Sequence, residues 1–326
     1  MRSTGIPLVV LIAVATACSV GDANETRSTP AGNDTTSTEA QVTEASTNAA
    51  LETETTEPDS PDSPDLPTSN YLSNYNLIDS EFGTDVSVTV LDGVRQITAN
   101  ALPNHKTGSF PNANNPNTIS AQNRQWSFPT EPTWTGSATW AMVPGVSING
   151  VKFEPETAES TDCATGETYR IEALQNTYNL GFDTNNAHVQ PNGEYHYHGV
   201  SELMVEAFNG TTEDLVHVGF AADGYLVYYS KSGAYRPGYA LSADPRTGTT
   251  CQPSLRNQTA SDLEGTMPDG TYVSDWVWSA DSGDLDVCNG TTIGDTYVYL
   301  LTTEYPFISR CLNGEFTNQQ GPPPPG

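Results

Sequence analysis

Alternating apolar and polar positions along the chain predict a fold built mainly from β-strands. The chain alternates valine with polar residues over 86–90, and Asp92-Gly93 forms a pair typical of a tight hairpin turn before residues 94–98 resume the alternation. Further alternating or β-rich runs are 147–153, 195–200, 203–208, 215–221, 225–229, 273–278 and 296–301. No run keeps the helical period of about 3.6 residues. We therefore predict a mostly β fold, a single antiparallel sandwich or distorted barrel domain with long loops and few helices.

The first 70 residues contain no Trp, Tyr or Phe, so the predicted domain lies after them. Arg2 and the apolar residues 6–15 form an export signal that is too short to span a bilayer as a helix. The Ala-Thr-Ala sequence before Cys18 resembles a bacterial lipobox. We therefore predict a lipoprotein signal peptide over residues 1–18 and attachment to the membrane by a lipid anchor on Cys18. A plain signal peptide cleaved near Ala17 is the alternative.

Residues 19–70 are rich in Ser, Thr and Pro, and they contain eleven acids against the single basic residue Arg27. Such a segment cannot bury enough apolar surface to offset the entropy lost on ordering. We predict a disordered acidic linker over 19–70, a folded domain over 71–320 and a loose proline-rich tail over 321–326. The like charges of the linker repel one another, which extends it and holds the domain away from the membrane.

The whole chain is strongly acidic, with 12 Lys and Arg residues against 40 Asp and Glu residues and a net charge of −28. Phosphate backbones and anionic lipid head groups repel such a chain, because binding them requires neutralising cations. We therefore exclude nucleic acid as the default partner. The predicted location is extracytoplasmic, at the surface of a bacterial cell. No particular protein or small-molecule partner follows from the sequence.

The number of cysteines favours two disulfide bonds. With Cys18 lipidated, the remaining cysteines form an even set in an oxidising setting. These are Cys163, Cys251, Cys288 and Cys311. Three pairings are possible, and we favour Cys163–Cys251 with Cys288–Cys311 because the second pair closes a short loop. A zinc site built from four thiolates is the alternative, but no two of these cysteines are separated by only two residues.

The five histidines are the residues that point most directly to chemistry. In the Tyr-His-Tyr-His run over 195–198, strand alternation places His196 and His198 on one face, about 6.5–7 Å apart, and the two tyrosines on the other. Two imidazoles at this separation can tilt onto one metal ion. His188 and His217 are close in sequence, and several imidazoles near one another are readily satisfied by a metal. The sequence therefore predicts a histidine-based metal site.

The Tyr-His-Tyr-His tetrad belongs to a longer series of ordered blocks. The blocks cover residues 102–112, 145–151, 154–159, 186–199, 219–225, 285–290 and 304–311. This series resembles the YHYH-domain protein family. The resemblance implies an exported protein with one folded unit, and a histidine at the positions of His105 and His188 as well as in the tetrad. His217 stands where the family pattern is usually apolar. Residues 296–300 replace an expected second Tyr-His-Tyr element, so no second metal site is expected there.

Ligand chemistry favours copper or zinc as the cofactor. Neutral imidazoles without nearby Cys or Met suit Cu(II) or Zn(II), and the general order of divalent-metal affinity puts copper ahead. Glu194 and Glu202 could add an oxygen ligand or support a ligand from behind. Asp223 precedes Gly224 between two apolar runs and is interpreted as a turn residue, although its charge could also orient a ligating histidine.

The acids over residues 281–286 raise calcium as a less favoured cofactor. Asp281, Asp284 and Asp286 surround a Ser-Gly pair, and oxygen ligands of this kind suit Ca(II). The segment has neither EF-hand nor repeat spacing. We therefore interpret it as a solvated acidic loop.

The sequence leaves three functions open. In the first, the chain is a metal-binding or copper-handling surface lipoprotein, in which His105 and His188 join the tetrad histidines in a filled site. In the second, it is a metalloenzyme of the hydrolase or hydro-lyase type. There, His217 completes a three-histidine set with His196 and His198 and leaves an open position for water. In the third, the histidines are packed internally in a non-catalytic surface module.

Overall fold

The computed structural model describes residues 66–208 and 213–317, and most of their regular structure is β. The strands are β1 (Tyr75–Asp79), β2 (Thr84–Leu91), β3 (Val94–Ala99), β4 (Arg124–Pro129), β5 (Trp134–Trp140), β6 (Gly145–Ser147), β7 (Lys152–Phe153), β8 (Ser160–Cys163), β9 (Thr168–Arg170), β10 (Ala187–Val189), β11 (Tyr195–Tyr197), β12 (Leu215–Ala221), β13 (Leu226–Ser230), β14 (Tyr239–Leu241), β15 (Cys251–Pro253), β16 (Trp276–Trp278), β17 (Gly290–Ile293), β18 (Thr296–Leu301) and β19 (Cys311–Gly314). One α-helix, α1, spans Glu202–Phe208, and a 3-10 turn spans Val273–Asp275. The predicted signal peptide with Cys18, residues 19–65 of the predicted linker and the predicted tail over 321–326 lie outside the described residues.

Eight strands form the largest sheet, in the order β10-β11-β7-β6-β12-β13-β18-β17. Strands β1 to β4 form a separate antiparallel meander, and the three smaller sheets are β15-β8-β9, β14-β16 and β19-β5. The described strands close no barrel, so the sandwich form of the prediction is confirmed: a mostly β fold with several sheets and long loops. The expectation of purely antiparallel pairing is corrected at two places, because β11 pairs with β7, and β13 with β18, in parallel.

The main hydrophobic core joins side chains of the meander to those of the eight-stranded sheet. Strand β2 alternates buried and exposed residues and turns Val86 and Val88 inwards. In contrast, every residue of β12 is buried, because apolar clusters cover both faces of this strand: Val216 and Val218 pack in the main core and Leu215 in a second cluster. The turn between β6 and β7 reaches the meander so closely that a Cβ added at Gly150 would lie 2.3 Å from the Cβ of Ala99.

Residues 203–208 belong to α1, so the strand predicted there is wrong. Ser201 caps the helix, because its hydroxyl accepts the backbone N–H of Met204 at 3.1 Å. The buried side chains, Met204, Val205 and Phe208, follow helical spacing. The alternation of apolar residues at 203, 205 and 207 misled the prediction, since positions 203 and 207 are exposed.

Two other predicted strands are interrupted by turns. Asn149-Gly150 turns the chain between β6 and β7, with Gly150 at φ +79°, where the sequence predicted one strand over 147–153. The 3-10 turn occupies the first half of the strand predicted over 273–278. Of the strand predicted over 195–200, only residues 195–197 form a strand in the structure. The predicted strands that the structure confirms are 86–90, 94–98, 215–221, 225–229 and 296–301, each to within one or two residues.

Two disulfide bonds pair Cys163 with Cys251 and Cys288 with Cys311, as predicted. The first joins facing residues of β8 and β15, which are separated by 88 positions in the sequence. In the chain-entropy view, a bond across so long a loop restricts the unfolded chain more than the second bond does, with its separation of 23. Because all four thiols are bonded, the alternative zinc site is excluded.

Contacts with the domain begin before residue 71, where the sequence placed the start of the folded part. Leu66 packs against the apolar cluster that contains Leu215 and Val298. The hydroxyl of Ser69 donates to Nδ1 of His217 at 2.7 Å. Residues 66–70 are therefore part of the folded unit, although the prediction assigned them to the linker.

We expect Gly150→Ala to destabilise the domain more than Gly93→Ala. Both glycines have a positive φ, +79° and +76°, which costs about 1–2 kcal/mol for an L side chain. A Cβ at Gly93 meets nothing within 4 Å, whereas one at Gly150 collides with Ala99, which adds about 1–3 kcal/mol. Urea unfolding of both variants measures the difference. Equal losses of unfolding free energy would contradict the close packing of the β6–β7 turn on the meander.

Candidate metal centre

Two short paired strands bring three histidines together. Strands β10 and β11 are antiparallel, and their register places His188 directly opposite His196. His198 follows His196 by two residues and therefore points to the same side. One ligand atom from each of the three imidazoles lies within 4.8 Å of the others. We call His188, His196 and His198 the histidine triad.

The sequence contains a signal for this pairing that the prediction did not use. Asn192-Gly193 is a turn pair, and Gly193 takes a positive φ of +87°. A hairpin centred on residue 192 pairs residue 188 with residue 196, which is the observed register. His188 was predicted as a ligand, and the structure places it in the triad.

Hydrogen bonds to backbone carbonyls orient two of the three rings. Nδ1 of His188 lies 3.1 Å from the carbonyl oxygen of Leu180, and Nδ1 of His196 lies 3.3 Å from that of Glu194. A proton on each Nδ1 makes these bonds and leaves each Nε2 with a free lone pair. Nε2 of His198 lies 3.2 Å from Nε2 of His188. The rings thus direct nitrogen atoms towards one another.

The third ring keeps one nitrogen without a partner. Nδ1 of His198 is buried and has no hydrogen-bond partner among the described residues. The ring centroids of the triad are only 4.7–4.9 Å apart. Buried polar nitrogens are normally paired, so this crowded and incompletely bonded group fits an ion that takes a lone pair from each ring.

Burial keeps the triad in the neutral form that a metal requires. Desolvation lowers the pKa of His188, and it lowers the pKa values of His196 and His198 far below the ordinary value. The neighbouring imidazoles and the ammonium of Lys152 shift these pKa values further in the same direction. Neutral imidazoles bind Cu(II) or Zn(II) without first releasing a proton.

Lys152 and Glu194 form a charged group beside the triad. The carboxylate of Glu194 is fully buried and is bound by the guanidinium of Arg124, with Nε to Oε1 at 2.7 Å. The ammonium of Lys152 lies 2.5 Å from Glu154 and 3.5 Å from Glu194. Glu194 is therefore engaged as an ion-pair partner, and it supports the triad through its backbone carbonyl only.

Glu202 and Asp223 do not take the supporting roles considered for them. Glu202 is exposed at the start of α1 and lines a cleft. Asp223 is buried, but its carboxylate accepts the hydroxyl of Tyr299 at 2.7 Å and the N–H of Gly314 at 2.9 Å. This carboxylate anchors β18 and β19 and orients no ring of the triad.

The structure leaves His105 and His217, which the sequence offered as ligands in two alternative sets, outside the triad. His105 lies on the tyrosine side of β11, where Nε2 accepts the hydroxyl of Tyr197 at 2.6 Å. In His217, Nε2 donates to the carbonyl of Gly219 at 2.9 Å and Nδ1 accepts from Ser69. Both ring nitrogens of His217 are thus engaged, which removes it as the third ligand of the metalloenzyme hypothesis.

Phe182 covers the triad from an irregular segment over residues 173–186. Its ring stacks on His188 with centroids 4.2 Å apart and planes 14° apart, and it meets His198 edge-on at 5.0 Å. Leu180, in the same segment, accepts the hydrogen bond from His188. The sequence prediction missed Leu180, Phe182 and Lys152, because no strand periodicity marks a loop residue that packs on a distant strand.

Two of the three acids considered for calcium, Asp284 and Asp286, have partners within the protein. Asp286 accepts the N–H groups of Cys288 and Gly290, while its second oxygen accepts the hydroxyl of Tyr297. Asp284 pairs with Arg236. Among the described residues, the triad alone groups three or more His, Cys, Asp or Glu side chains with metal-ligand spacing.

Acid should destabilise the metal-free protein partly through His217. Burial lowers the pKa of this ring to about 3, against 6.5 when exposed. At a pH between about 3 and 6.5, His217 therefore carries a proton in the unfolded chain but not in the folded chain. The free energy of unfolding therefore falls with decreasing pH, by about 1.4 kcal/mol per pH unit from this ring. His217→Gln should remove that part of the slope, which urea unfolding at pH 7, 6 and 5 with a chelator measures. Parallel slopes for the two proteins would refute this role.

A protein-family model matches the part of the chain that contains the histidine triad. The family model described as YHYH protein matches residues 125–314, which is more than half of the chain and includes the whole triad. Comparisons with curated proteins and with solved structures give no significant match. No helix within residues 66–208 and 213–317 is both long and apolar enough to cross a membrane. The resemblance noted in the sequence is confirmed, and the chain belongs to the YHYH protein family.

Proposed function

We propose that this chain is a lipid-anchored extracytoplasmic protein whose YHYH domain binds one Cu(II) or Zn(II) ion through the histidine triad. The observation that supports the metal site is the convergence of three neutral imidazoles, two buried and one half-buried, whose ligand atoms lie within 4.8 Å of one another. Three imidazoles are a common ligand set for these ions. No thiolate takes part, because the four cysteines of the domain are disulfide-bonded.

Copper is the preferred ion on the general order of affinity for nitrogen ligands. The ion adds two positive charges to a buried site that already lies beside Lys152. The carboxylates of Glu154 and Glu194 surround that ammonium and offset its charge. Both ions carry the same charge, so the affinity order decides between them. We expect Cu(II) to displace Zn(II) from the triad when both are present.

The location rests on the sequence and on the redox state of the cysteines. Residues 1–18 have the features of a lipoprotein signal peptide, and the acidic segment after Cys18 suits a tether. Two disulfide bonds are typical of proteins that fold outside the reducing cytosol. The anchor on Cys18 then makes the membrane the first partner of the protein.

A metalloenzyme is the second candidate, favoured by the number of ligands. An ion held by three protein nitrogens keeps a coordination position open, and such a position can bind and activate water. His188, not His217, completes the set of three, so all the ligands come from the β10–β11 hairpin and the residue directly after it. A non-catalytic surface module is the outcome that follows if the triad binds no metal.

Metal loading tests the proposal directly. The chain lacking residues 1–18 is incubated with Cu(II) or Zn(II), freed of excess ion and measured by elemental analysis. We expect about one equivalent of metal in the parent and almost none in the His196→Ala/His198→Ala variant, since one imidazole cannot hold the ion. His105→Gln is the matched control, because it alters a buried histidine outside the triad. It should retain the metal. The proposal would be refuted if the parent bound no metal, or if the double variant bound about one equivalent.

Detergent partitioning tests the anchor. The full chain expressed in a bacterium should enter the detergent phase, and the Cys18→Ala variant should move to the aqueous phase because it carries no lipid. The disulfide-bonded domain is the same in both proteins, so circular dichroism should be unchanged. A full chain that stays in the aqueous phase would show that the membrane anchor is absent.

A further inference from the structure

A cleft of about 850 Å³ lies next to the triad. The segment over residues 173–186 forms one wall, and Tyr229 of β13 and the 302–307 loop contribute to the lining. Its size is within the range of small-molecule binding sites. None of the three triad histidines lines this cleft.

The cleft and the triad share the same supporting residues. Phe182 lines the cleft and stacks on His188. Leu180 also lines it and accepts the hydrogen bond from Nδ1 of His188. Asn186 also lines the cleft, and its carbonyl oxygen accepts the backbone N–H of His198 at 2.8 Å. A molecule in the cleft would therefore contact the residues that hold two of the three rings.

The lining selects for an uncharged ligand that is rich in hydroxyl groups. Lys, Arg and His are absent from the residues that line the cleft, and Glu202 is its single acid. In a chain of net charge −28, this excludes anions. Amides and hydroxyls such as those of Asn176 and Thr184 can donate and accept hydrogen bonds, and Tyr178 and Phe307 offer aromatic faces. A sugar presents hydroxyl edges and apolar ring faces that match both.

A second cavity adjoins the cleft, which favours an elongated ligand. The second cavity is about 200 Å³ and shares Tyr229, Thr302 and Thr303 with the first. Its lining adds one cation, Arg236, whose charge is paired with Asp284, and one acid, Glu304. A chain of several sugar units fits two adjoining cavities better than a single unit does, and we call the two cavities together the groove.

Phe307 is held towards this groove by a strained backbone. It adopts a φ of +64°, which is unusual for a bulky residue. Two backbone hydrogen bonds fix the turn, from Thr302 N–H to the carbonyl of Phe307 at 2.9 Å and from Phe307 N–H to that of Glu304 at 2.8 Å. Strain of this kind collects at ligand sites, where it fixes a contact surface in advance.

We propose that this groove binds a neutral oligosaccharide beside the metal centre. The position of the sugar relative to a bound ion rests on the proposed metal function, whereas the sugar binding itself does not. A neutral oligosaccharide would then be the substrate or the recognised ligand of this site. Such a ligand suits a protein at the cell surface. A peptide or an acidic polysaccharide as the preferred ligand would overturn the proposal.

Saturation-transfer NMR on the metal-free chain lacking residues 1–18 tests the binding. The probes are cellohexaose, maltohexaose and the hexamer of N-acetylglucosamine, with hexagalacturonate and a neutral Gly-Ser hexapeptide for comparison. At least one neutral sugar should bind, and neither comparison probe should. Failure of all three neutral sugars, or better binding of a comparison probe, overturns the proposal.

A pair of matched variants places the sugar in the groove. Thr303→Arg puts a long side chain at the junction of the two cavities and should weaken sugar binding by about tenfold or more. Thr292→Arg adds the same charge at an exposed position on β17 that lines neither cavity, and it should leave the affinity nearly unchanged. Equal affinities for the two variants would place the sugar elsewhere and refute the groove.

Copper tests the distance to the centre separately. In the Cu(II)-loaded chain, the paramagnetic ion should broaden the proton signals of the bound sugar, and the Zn(II)-loaded chain should not. Sugar binding without added broadening would overturn the placement beside the centre. If no metal loads, the metal function fails while the metal-free measurements still decide the sugar site, so the two failures are distinguishable.

Discussion

The cost of burying polar side chains is the constraint on which this structure depends. Strand β11 is only three residues long, yet it carries two tyrosines on one face and His196 on the other, with His198 directly after it, and all four side chains are buried. An uncompensated polar group in such a place costs several kcal/mol, so each ring needs a partner. On the histidine face the partners are neighbouring imidazoles and backbone carbonyls. The charged group around Lys152 and Glu194 lies beside them.

The tyrosine face meets the same constraint by holding distant loops. The hydroxyl of Tyr195 donates to Asp183 at 2.8 Å, and that of Tyr197 donates to His105. Asp183 in turn accepts the backbone N–H of Gly108 at 2.9 Å. Residues more than 70 positions apart are thus tied to one short strand. The Tyr-His-Tyr-His motif therefore has two separate roles: its tyrosines organise the loops of the fold, and its histidines supply two members of the histidine triad.

Local patterns in the sequence were sufficient for part of this architecture. Alternation located β2, β3, β12 and β18, because each has a regular burial pattern or a continuous apolar run. The same reasoning placed His196 and His198 on one face. It could not separate His188 from His105, because that choice depends on which loop packs on which face of β11. Nor could it identify α1, whose Ser201 cap was overlooked beside a misleading alternation.

The contacts of Leu66 and Ser69 protect the edge of the meander from mechanical force. Strand β1 has a single neighbour, so a pull on the chain before it would peel it from β2 one hydrogen bond at a time. That pull must first break the Ser69–His217 bond and extract Leu66 from its cluster. His217 belongs to β12, which is held on both edges by β6 and β13. Tension on the chain before residue 66 would therefore reach β12, which is paired on both edges, before it reaches the edge strand β1.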